Sequence, residues 1–267
     1  MNVVELAETP RLLVALDVDG TLAPLVDEPM TARMARSAAE AVDALVRAPG
    51  TTVAFVSGRS LADLRIIAEH TDSSPVLLAG SHGAEWWVPA GRGVDGEFAD
   101  SAHAGADDDA AVRREAQRRD ELAAEAEAAV AHIDGAWIER KAFGFGVHSR
   151  TVASDAAAEV HRIVDALVAE QAPQWRRREG HSITEYAFRS EGKDTAIARL
   201  RALTAATAVL FAGDDVTDED AIRSLGAGDL GIRVGAGETA ASMRVADIEE
   251  LAGVLRALAY QRTVRAQ

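Results

Sequence analysis

The sequence has no cysteine in its 267 residues, and this absence excludes several kinds of chemistry. Without thiols the chain can form no disulfide, no thiolate metal centre and no cysteine nucleophile. Long apolar runs are missing too, since no uninterrupted apolar stretch approaches the roughly 20 residues that a membrane-spanning helix needs. The N-terminal stretch lacks the basic start, apolar segment and small-residue cleavage site of a signal peptide. We therefore expect a cytoplasmic protein.

Basic residues are scarce relative to acidic ones. The chain has 28 Lys and Arg against 43 Asp and Glu, which gives a formal net charge of -15. So acidic a balance favours solubility and disfavours non-specific binding to nucleic acid or to anionic lipid. We expect neither a nucleic-acid partner nor a membrane partner.

Strand-like and helix-like segments alternate in the first part of the chain and again after residue 193. Apolar runs at 12–16, 51–56 and 75–80 predict buried strands, and helical patterns separate them. Thr31 is a plausible N-cap of the first helix, and Ser60 begins the second in an arrangement that resembles a capping box. This order predicts a doubly wound, mostly parallel Rossmann-like α/β sheet, whose ligands bind beyond the carboxyl ends of the strands.

The middle of the chain differs in kind. An Ala-rich, charged stretch over 106–133 predicts a long solvated helix. Two strand-like segments follow, then a helical pattern, then two more strand-like segments, and this order predicts an α+β module with an antiparallel sheet. We expect a catalytic core formed by 1–106 and 188–267, with an inserted α+β cap at 107–187.

Two carboxylates, Asp17 and Asp19, follow the first predicted strand, where the chain turns through Gly20 and Thr21. Like charges so close together are costly unless a cation or hydrogen-bond donors offset them. The sequence therefore predicts a positive group at this strand end.

Other polar residues should meet these two aspartates, because the carboxyl ends of parallel strands converge on one edge of a sheet. Carboxylate oxygens without His or Cys suit a hard cation such as Mg²⁺, and a hydroxyl with an ammonium group suits a phosphate. An aspartate beside such a cation can attack phosphorus as a nucleophile. The converging residues are Ser57, Gly58 and Arg59 after the second strand, Lys193 at a helix start, and Asp214, Asp215 and Asp218.

Each of these features has an ordinary explanation when it is taken alone. The late aspartates could form a strand-ending turn in which Asp218 caps the next helix, and a single lysine at a helix start is usually solvated. The Ser-Gly-Arg sequence is common. Their joint occurrence at predicted strand and helix ends favours a catalytic site.

Five segments together resemble the motifs of haloacid dehalogenase-like phosphatases, and within them the trehalose-6-phosphate phosphatase family. The resemblance covers nearly the whole chain and includes the inserted cap. It implies a Mg²⁺-dependent phosphomonoesterase that hydrolyses trehalose 6-phosphate through an aspartyl-phosphate intermediate. It also implies a functional link to a trehalose-6-phosphate synthase. The segments are LDVDGTLAPLVDEP, FVSGRSLADL, AGSHGAEWW, the lysine before a helix, and FAGDDVTDEDA.

The resemblance implies a function for each site residue. Asp17 would be the nucleophile, and Asp19 the general acid that later activates water. Ser57 and Lys193 would hold the phosphoryl group. The implied metal ligands are Asp17, the main-chain carbonyl of Asp19 and Asp214, with Asp215 and Asp218 close behind. The implied substrate-binding residues are Arg59, His82 and Glu85 in the core, and Lys141, His148 and Glu185 in the cap.

The cap assignments have ordinary alternatives. Lys141 and Glu185 could be solvated strand residues, and His148 could be a structural histidine. In the core, His82 could serve a turn. The basic run at 175–178 is best explained as a solvated edge strand.

Some positions depart from the family pattern. Ser149 stands where a tyrosine is common, Ala187-Phe188 where an Arg-Pro pair is common, and Asp194 where a glycine is usual. These departures concern sugar recognition more than the chemistry at phosphorus. Related phosphatases for sucrose phosphate or mannosyl-phosphoglycerate are therefore alternatives.

Two alternatives come from other functional classes. One is an inactive phosphosugar-sensing regulatory subunit, which the complete set of Asp17, Asp19, Lys193 and Asp214 argues against. The other is a receiver-like phosphoacceptor domain, with which the large insert is hard to reconcile.

Overall fold

The structure is a computed structural model that describes residues 2–89, 109–180, 182–189 and 191–266. The chain divides into two compact units, Met1–Ala102 with Glu191–Gln267, and His103–Ser190. The helices are α1 (Val3–Ala7), α2 (Arg36–Arg47), α3 (Leu61–Ile67), α4 (Asp109–Val130), α5 (Ser154–Gln171), α6 (Lys193–Thr204), α7 (Asp218–Ser224) and α8 (Ile248–Arg265). The strands are β1 (Leu12–Leu16), β2 (Thr51–Val56), β3 (Leu77–Gly80), β4 (Glu85–Trp87), β5 (Trp137–Lys141), β6 (Gly144–His148), β7 (Arg176–Gly180), β8 (Ile183–Ala187), β9 (Ala208–Gly213), β10 (Leu230–Val234) and β11 (Met243–Val245).

The first unit contains a seven-stranded sheet in the order β11-β10-β9-β1-β2-β3-β4. All neighbouring strands are parallel except β3 and β4. The chain runs from β1 outward through β2 and β3 on one side, and returns to β9 on the other side of β1. The point where the strand order reverses therefore lies at β1, and this is where ligands of such sheets bind.

Strand β1 is buried along its whole length because both sheet faces are covered by helices. Leu12, Val14 and Leu16 pack in one apolar cluster with residues of α2 and α8. Leu13 and Ala15 point to the opposite face and pack with residues of α6 and α7. Continuous hydrophobicity in β1 is thus the expected pattern of a central parallel strand.

The second unit has a four-stranded antiparallel sheet in the order β5-β6-β8-β7. One face of this sheet packs on α4 and α5 through Phe145, Val147 and Tyr186. The prediction of a doubly wound parallel sheet with a separate α+β module is confirmed. None of the described helices combines the length and apolar character needed to cross a lipid bilayer.

One local prediction, the N-cap at Thr31, was wrong. The first long helix begins at Arg36 rather than after Thr31, because Pro29–Thr31 forms a short 3₁₀ turn and the Ala35 amide is held by the Leu22 carbonyl, 2.8 Å away. The helix predicted over 106–133 is observed as Asp109–Val130, and its predicted first residues, 106–108, lie outside the described part of the chain. Ser60 does cap α3, accepting a hydrogen bond from the Asp63 amide.

Arg262 on α8 joins the ends of several elements of the first unit. Its side chain is buried, and its five N–H groups all donate hydrogen bonds over 2.8–3.2 Å without a carboxylate partner. Burial lowers the pKa of this guanidinium. The acceptors are the Thr51 hydroxyl and the carbonyls of Ala7, Thr9, Pro49 and Gly50.

We expect Arg262→Met to lower the free energy of unfolding by about 3 kcal/mol, because four carbonyls, those of Ala7, Thr9, Pro49 and Gly50, lose a charged donor. Urea denaturation measures this loss. Arg265→Met is the matched control on the same helix, since its exposed pair with Glu8 should contribute less than about 1 kcal/mol. Equal stability of the two variants would contradict the prediction.

Candidate active site

The carboxyl end of β1 lies between the ends of β2 and β9. Leu16 pairs with Phe55 on one side and with Ala212 on the other, and the Asp17 amide donates to the Ala212 carbonyl over 3.0 Å. This register brings the residues after the three strands to one edge. Asp17, Ser57 and Asp214 therefore converge although they are far apart in the sequence.

Asp17 and Lys193 form a buried ion pair at this edge. The Lys193 Nζ lies 2.5 Å from Asp17 Oδ1 and 2.6 Å from Asp218 Oδ1, and the three side chains are at most 6% exposed. Lys193 is the first residue of α6, so the chain itself places its ammonium group at a helix N-terminus. Ammonium and helix terminus together make this edge attractive to an anion.

Asp218 uses both of its oxygens. While Oδ1 accepts from Lys193, Oδ2 accepts from the amides of Asp214 and Asp215 at 3.0 and 2.9 Å. A Cβ on Gly213 would lie 2.2 Å from the Asp218 Cγ, so only glycine fits at the end of β9. The Asp218 side chain therefore bonds to the amides that precede it in the turn. The ordinary explanation from the sequence, in which Asp218 caps the helix that follows, is not observed.

Thr21 is a site residue to which the sequence arguments gave no function. Its buried hydroxyl lies 3.1 Å from Asp214 Oδ1 and 3.4 Å from Asp17 Oδ2, so it bridges two carboxylates from different strands. Gly20 adopts a φ of +78°, and a Cβ there would lie 2.0 Å from Asp214 Oδ2. The motif Asp-x-Asp-Gly-Thr thus contains two residues whose function is to admit and hold Asp214.

Burial dominates the electrostatics of these acids. It raises the pKa of Asp17 well above its ordinary value; Lys193 opposes this shift, and Asp218 and Asp214 add to it. Burial and the charge of Asp218 raise the pKa of Asp214 to about 7. Burial alone would lower the pKa of Lys193, but Asp17 and Asp218 raise it well above its ordinary value. Without a further cation Asp214 is therefore partly protonated near neutral pH.

The cluster fits a divalent cation. Asp17, Asp214 and Asp218 each offer a carboxylate oxygen, and these oxygens lie within 4.8 Å of one another. Oxygen donors suit a hard ion such as Mg²⁺. Among the described residues the other two acids of the predicted set direct their carboxylates elsewhere, Asp19 to Arg59 and Asp215 to the Val216 amide at 2.7 Å.

Ser57 follows β2 and is buried beside this edge. Its Oγ accepts a hydrogen bond from the Arg59 amide at 3.1 Å, which leaves the hydroxyl proton available to a phosphate oxygen. Its carbonyl accepts from the amide of His82 at 2.9 Å. The turn after β2 is therefore held by the turn after β3.

His82 and Glu85 support this pair of turns. His82 is buried, and a Cβ on Gly58 would lie 2.7 Å from its ring. The Glu85 carboxylate accepts from the Leu61 amide at 3.1 Å and from the Ser81 hydroxyl at 2.5 Å. Both residues hold neighbouring backbone through these contacts, in addition to any contact with substrate that the resemblance implies.

The second unit gathers its predicted residues on one face of the antiparallel sheet. Lys141 pairs with Glu185, and Glu139 lies 2.9 Å from the Nε2 of His148 and 3.6 Å from the Nζ of Lys141. Trp137 stacks on the His148 ring, with centroids 3.8 Å apart and planes 3° from parallel. These residues alternate along β5, so they share the face opposite the apolar core.

Sequence reasoning did not identify Glu139 as a site residue. It stands two residues before Lys141 on a predicted strand, and this spacing, which places both side chains on one face, could have indicated it. Burial would raise the pKa of Glu139, but the hydrogen bond from His148 and the charge of Lys141 lower it. Burial would lower the pKa of Lys141, but Glu185 and Glu139 raise it. The cluster is thus a set of charged donors and acceptors, of the kind that binds hydroxyl groups.

Two of the positions that depart from the family pattern, Ser149 and Phe188, make contacts within the second unit. The Ser149 hydroxyl lies 2.9 Å from the Nε2 of His161. Phe188 makes ring contacts with Phe143 and Trp175, each with centroids 5.8 Å apart. The basic run forms the edge strand β7, in which Arg178 is buried rather than solvated.

A sequence model described as trehalose-phosphatase matches residues 15–248, which is most of the chain. The chain belongs to the trehalose-phosphatase family. A probable trehalose-phosphate phosphatase of Sinorhizobium fredii is 31% identical over 257 residues, covering 91% of this chain and 86% of that protein. A trehalose-phosphate phosphatase of Mycobacterium marinum is 33% identical over 231 residues, covering 84% of this chain and 54% of that protein. The chain thus spans about half the length of several curated relatives that it matches.

Solved structures show the same fold. The C-terminal domain of C. albicans trehalose-6-phosphate phosphatase superposes with a TM-score of 0.75 at 20% identity, covering 97% of this chain and 95% of that one. A haloacid dehalogenase-like hydrolase from B. subtilis superposes with a TM-score of 0.55. This member of the trehalose-phosphatase family therefore has the haloacid dehalogenase-like fold, with a separate α+β module.

Proposed function

We propose that this trehalose-phosphatase family member hydrolyses trehalose 6-phosphate to trehalose and phosphate, with Asp17 as the nucleophile. The observation that carries the proposal is the buried carboxylate of Asp17 at the end of β1, held by Lys193 and Thr21 beside Asp214. The end of β1, the turn at Thr21 and helix α6 together fix the position of this carboxylate, as a nucleophile requires.

In the first step a carboxylate oxygen of Asp17 forms a bond to phosphorus while the ester P–O bond breaks. Asp19 gives its proton to the departing sugar oxygen. Lys193 and the Ser57 hydroxyl bind the oxygens of the phosphoryl group, and the N-terminus of α6 adds to the positive potential. The products of this step are the sugar alcohol and an aspartyl phosphate.

In the second step a water oxygen bonds to phosphorus and the bond to Asp17 breaks. Asp19, now ionised, accepts the proton of that water, so the enzyme returns to its starting state. Inorganic phosphate leaves. Asp19 thus serves as acid and then as base at one position.

We propose Mg²⁺ as the cofactor, held by Asp17, Asp214 and the Asp19 carbonyl. Such an ion shields the approach of two anions and favours the ionised form of its carboxylate ligands. Burial favours the protonated, non-nucleophilic form of Asp17 even though the Lys193 ammonium opposes it. Asp218 and Asp215 would support the metal site from behind, because Asp218 Oδ2 already holds the amides of Asp214 and Asp215 and thereby positions the Asp214 ligand.

We propose that residues 107–187 act as the cap and that the sugar is recognised there. The supporting observation is the cluster of Lys141, Glu139, Glu185 and His148, whose alternating charges can bind the hydroxyls of a sugar. A reaction that makes trehalose 6-phosphate, as a synthase does, would supply the substrate.

A substrate panel tests the proposal. Phosphate release is measured with trehalose 6-phosphate, sucrose 6-phosphate, mannosyl-phosphoglycerate and p-nitrophenyl phosphate, with Mg²⁺ and with EDTA. We expect trehalose 6-phosphate to have the highest kcat/KM and EDTA to abolish turnover. Preference for another sugar phosphate would refute the substrate assignment, and binding without turnover would indicate a regulatory subunit.

We expect Lys141→Met to raise the KM for trehalose 6-phosphate by about 10- to 100-fold, because a charged hydrogen bond to a hydroxyl is lost. The kinetics with p-nitrophenyl phosphate should not change. Arg140→Met is the matched control. Arg140 precedes Lys141 on β5, and its exposed side chain lies on the other face of the strand. An equal loss with both substrates would place Lys141 outside sugar recognition.

The metal-free protein should become more stable as the pH falls from 7.5 to 5.5. The pKa of Asp214 rises from 3.8 in the unfolded chain to about 7 in the fold, so the folded state binds more protons in this interval. The free energy of unfolding therefore falls as the pH rises through 7. Urea midpoints measured in EDTA test this slope. Saturating Mg²⁺ over the same pH interval, and Asp214→Asn in EDTA, should each reduce this slope. An unchanged slope in Asp214→Asn would assign it to other groups.

A further inference from the structure

Resting on the proposed function, we propose that Arg59 is a positioning residue for the acid and base Asp19, and not a substrate-binding residue as the family resemblance implies. The Arg59 Nε and Nη2 donate to the two oxygens of Asp19 over 2.6 and 2.7 Å. Two parallel N–H···O bonds fix the plane of a carboxyl group as well as its position. The two side chains are 16% and 28% exposed, so the pair is partly shielded from water.

The backbone of Arg59 is itself firmly held. Its amide donates to the Ser57 Oγ at 3.1 Å, and its carbonyl accepts from the Ser81 amide at 2.6 Å. The His82 ring fills the space against Gly58, where a Cβ would clash. One rigid turn therefore presents both the phosphate-binding Ser57 and the guanidinium that holds Asp19.

Asp19 needs such a support because it lies beyond the end of β1. Asp17 is fixed by Lys193 and Thr21, but the described contacts of the Asp19 carboxylate run to Arg59. Proton transfer requires the acid within hydrogen-bond reach of the ester oxygen, and a misplaced acid loses its catalytic effect. The guanidinium transfers no proton. It holds both oxygens of Asp19 when the carboxyl group is ionised, and the oxygen without the proton when Asp19 is the acid of the first step.

This function can be distinguished from direct substrate binding by the choice of leaving group. An alkyl phosphate has a poor leaving group that needs a proton, whereas p-nitrophenolate leaves without one. The quantity to compare is kcat/KM, which covers the first step alone when phosphoryl transfer is irreversible. Loss of a group that acts only through Asp19 should therefore lower kcat/KM for sugar phosphates much more than kcat/KM for p-nitrophenyl phosphate.

The experiment measures Arg59→Ala, Arg59→Lys and Asp19→Asn with trehalose 6-phosphate and p-nitrophenyl phosphate. If another alkyl phosphate of the panel is the better substrate, it takes the place of trehalose 6-phosphate. We expect Arg59→Ala to lower kcat and kcat/KM for the sugar phosphate by about 100-fold with KM nearly constant. For p-nitrophenyl phosphate, kcat/KM should stay within about threefold. Arg59→Lys should be intermediate, because an ammonium keeps the charge but lacks the fork.

A double variant supplies the second arm. If Arg59 acts through Asp19, adding Arg59→Ala to Asp19→Asn should cause little further loss with either substrate. Arg65→Ala on α3 is the control for removal of a nearby arginine, and circular dichroism checks that each variant folds.

The outcomes separate the inference from the proposed function. Two results for Arg59→Ala would overturn the positioning function alone. One is a raised KM with unchanged kcat for the sugar phosphate, and the other is an equal loss of kcat/KM with both substrates. If Asp19→Asn itself leaves kcat/KM for the sugar phosphate unchanged, the assignment of Asp19 as acid fails, and the proposed mechanism fails with it.

Discussion

Asp17→Asn should lower kcat by about 10⁵-fold or more while the protein remains folded. An amide has no anionic oxygen to attack phosphorus, so covalent catalysis is lost entirely, and losses of this order follow removal of a nucleophile in other hydrolases. The size and shape of the side chain are kept. The amide oxygen of asparagine can still accept from Lys193, and its NH2 group can donate to the hydroxyl oxygen of Thr21, so both contacts of Asp17 have a replacement.

The measurement combines steady-state phosphate release with acid-quench labelling by ³²P-substrate. Wild-type protein should carry acid-stable label on Asp17 during turnover, and Asp17→Asn should carry none. Asp27→Asn is the matched control, because this exposed acid follows the same strand and should keep wild-type kinetics. A variant Asp17→Asn with activity within tenfold of the wild type would rule out Asp17 as the nucleophile.

The position of the site could be predicted from the sequence because it depends on topology. Continuous apolar runs identify the parallel strands, and parallel strand ends must meet at one edge. The structure brings Asp17, Lys193 and Asp214 together for this reason, across up to 197 positions of sequence. The alternation along β5 likewise places Glu139 beside Lys141.

The partners of individual side chains could not be predicted in the same way. A motif gives residue types but not the direction in which each side chain turns. Asp218 closes its turn backwards onto the Asp214 amide, and Arg59 turns towards Asp19, 40 positions earlier. Such contacts depend on distances of tenths of an ångström between elements that meet only in the folded chain.

Secondary structure was missed where tertiary contacts decide it. Strand β4 has three residues, of which the middle one, Trp86, is buried, and it pairs antiparallel at a sheet edge. Three residues are too few to show a two-residue period. Strand β11 is equally short. The start of α2 is set by the hydrogen bond between Ala35 and Leu22, two residues of different segments.

Removal of the only ammonium group in the described acidic cluster should have the largest effect on stability. Lys193→Met leaves the carboxyls of Asp17 and Asp218 buried without their cation, with Asp214 beside them. Breaking a buried pair by removing one partner costs about 3–5 kcal/mol, since the remaining charge has neither water nor a counterion. We therefore expect a loss of this size in the free energy of unfolding at pH 7.5 in EDTA.

Two conditions should restore part of the stability, because both neutralise the same carboxyls. Mg²⁺ replaces the lost positive charge, and a pH of 5.5 supplies protons to acids whose pKa is already raised by burial. Activity should not return under either condition, since the phosphoryl group would still lack the Lys193 ammonium. Restoration of stability without activity would thus separate the structural function of Lys193 from its catalytic one.

The matched control is Arg199→Met on the same helix. Arg199 lies over the Trp86 ring, 4.9 Å from its centroid, and a contact of this kind contributes about 0.5–1 kcal/mol. The control should therefore lose far less stability and should respond to neither Mg²⁺ nor acid. If Lys193→Met proves as stable as Arg199→Met in EDTA at pH 7.5, the acids do not depend on Lys193 for their burial. The proton retained by the metal-free cluster would then suffice to balance it, and the ammonium would be reserved for the phosphoryl group.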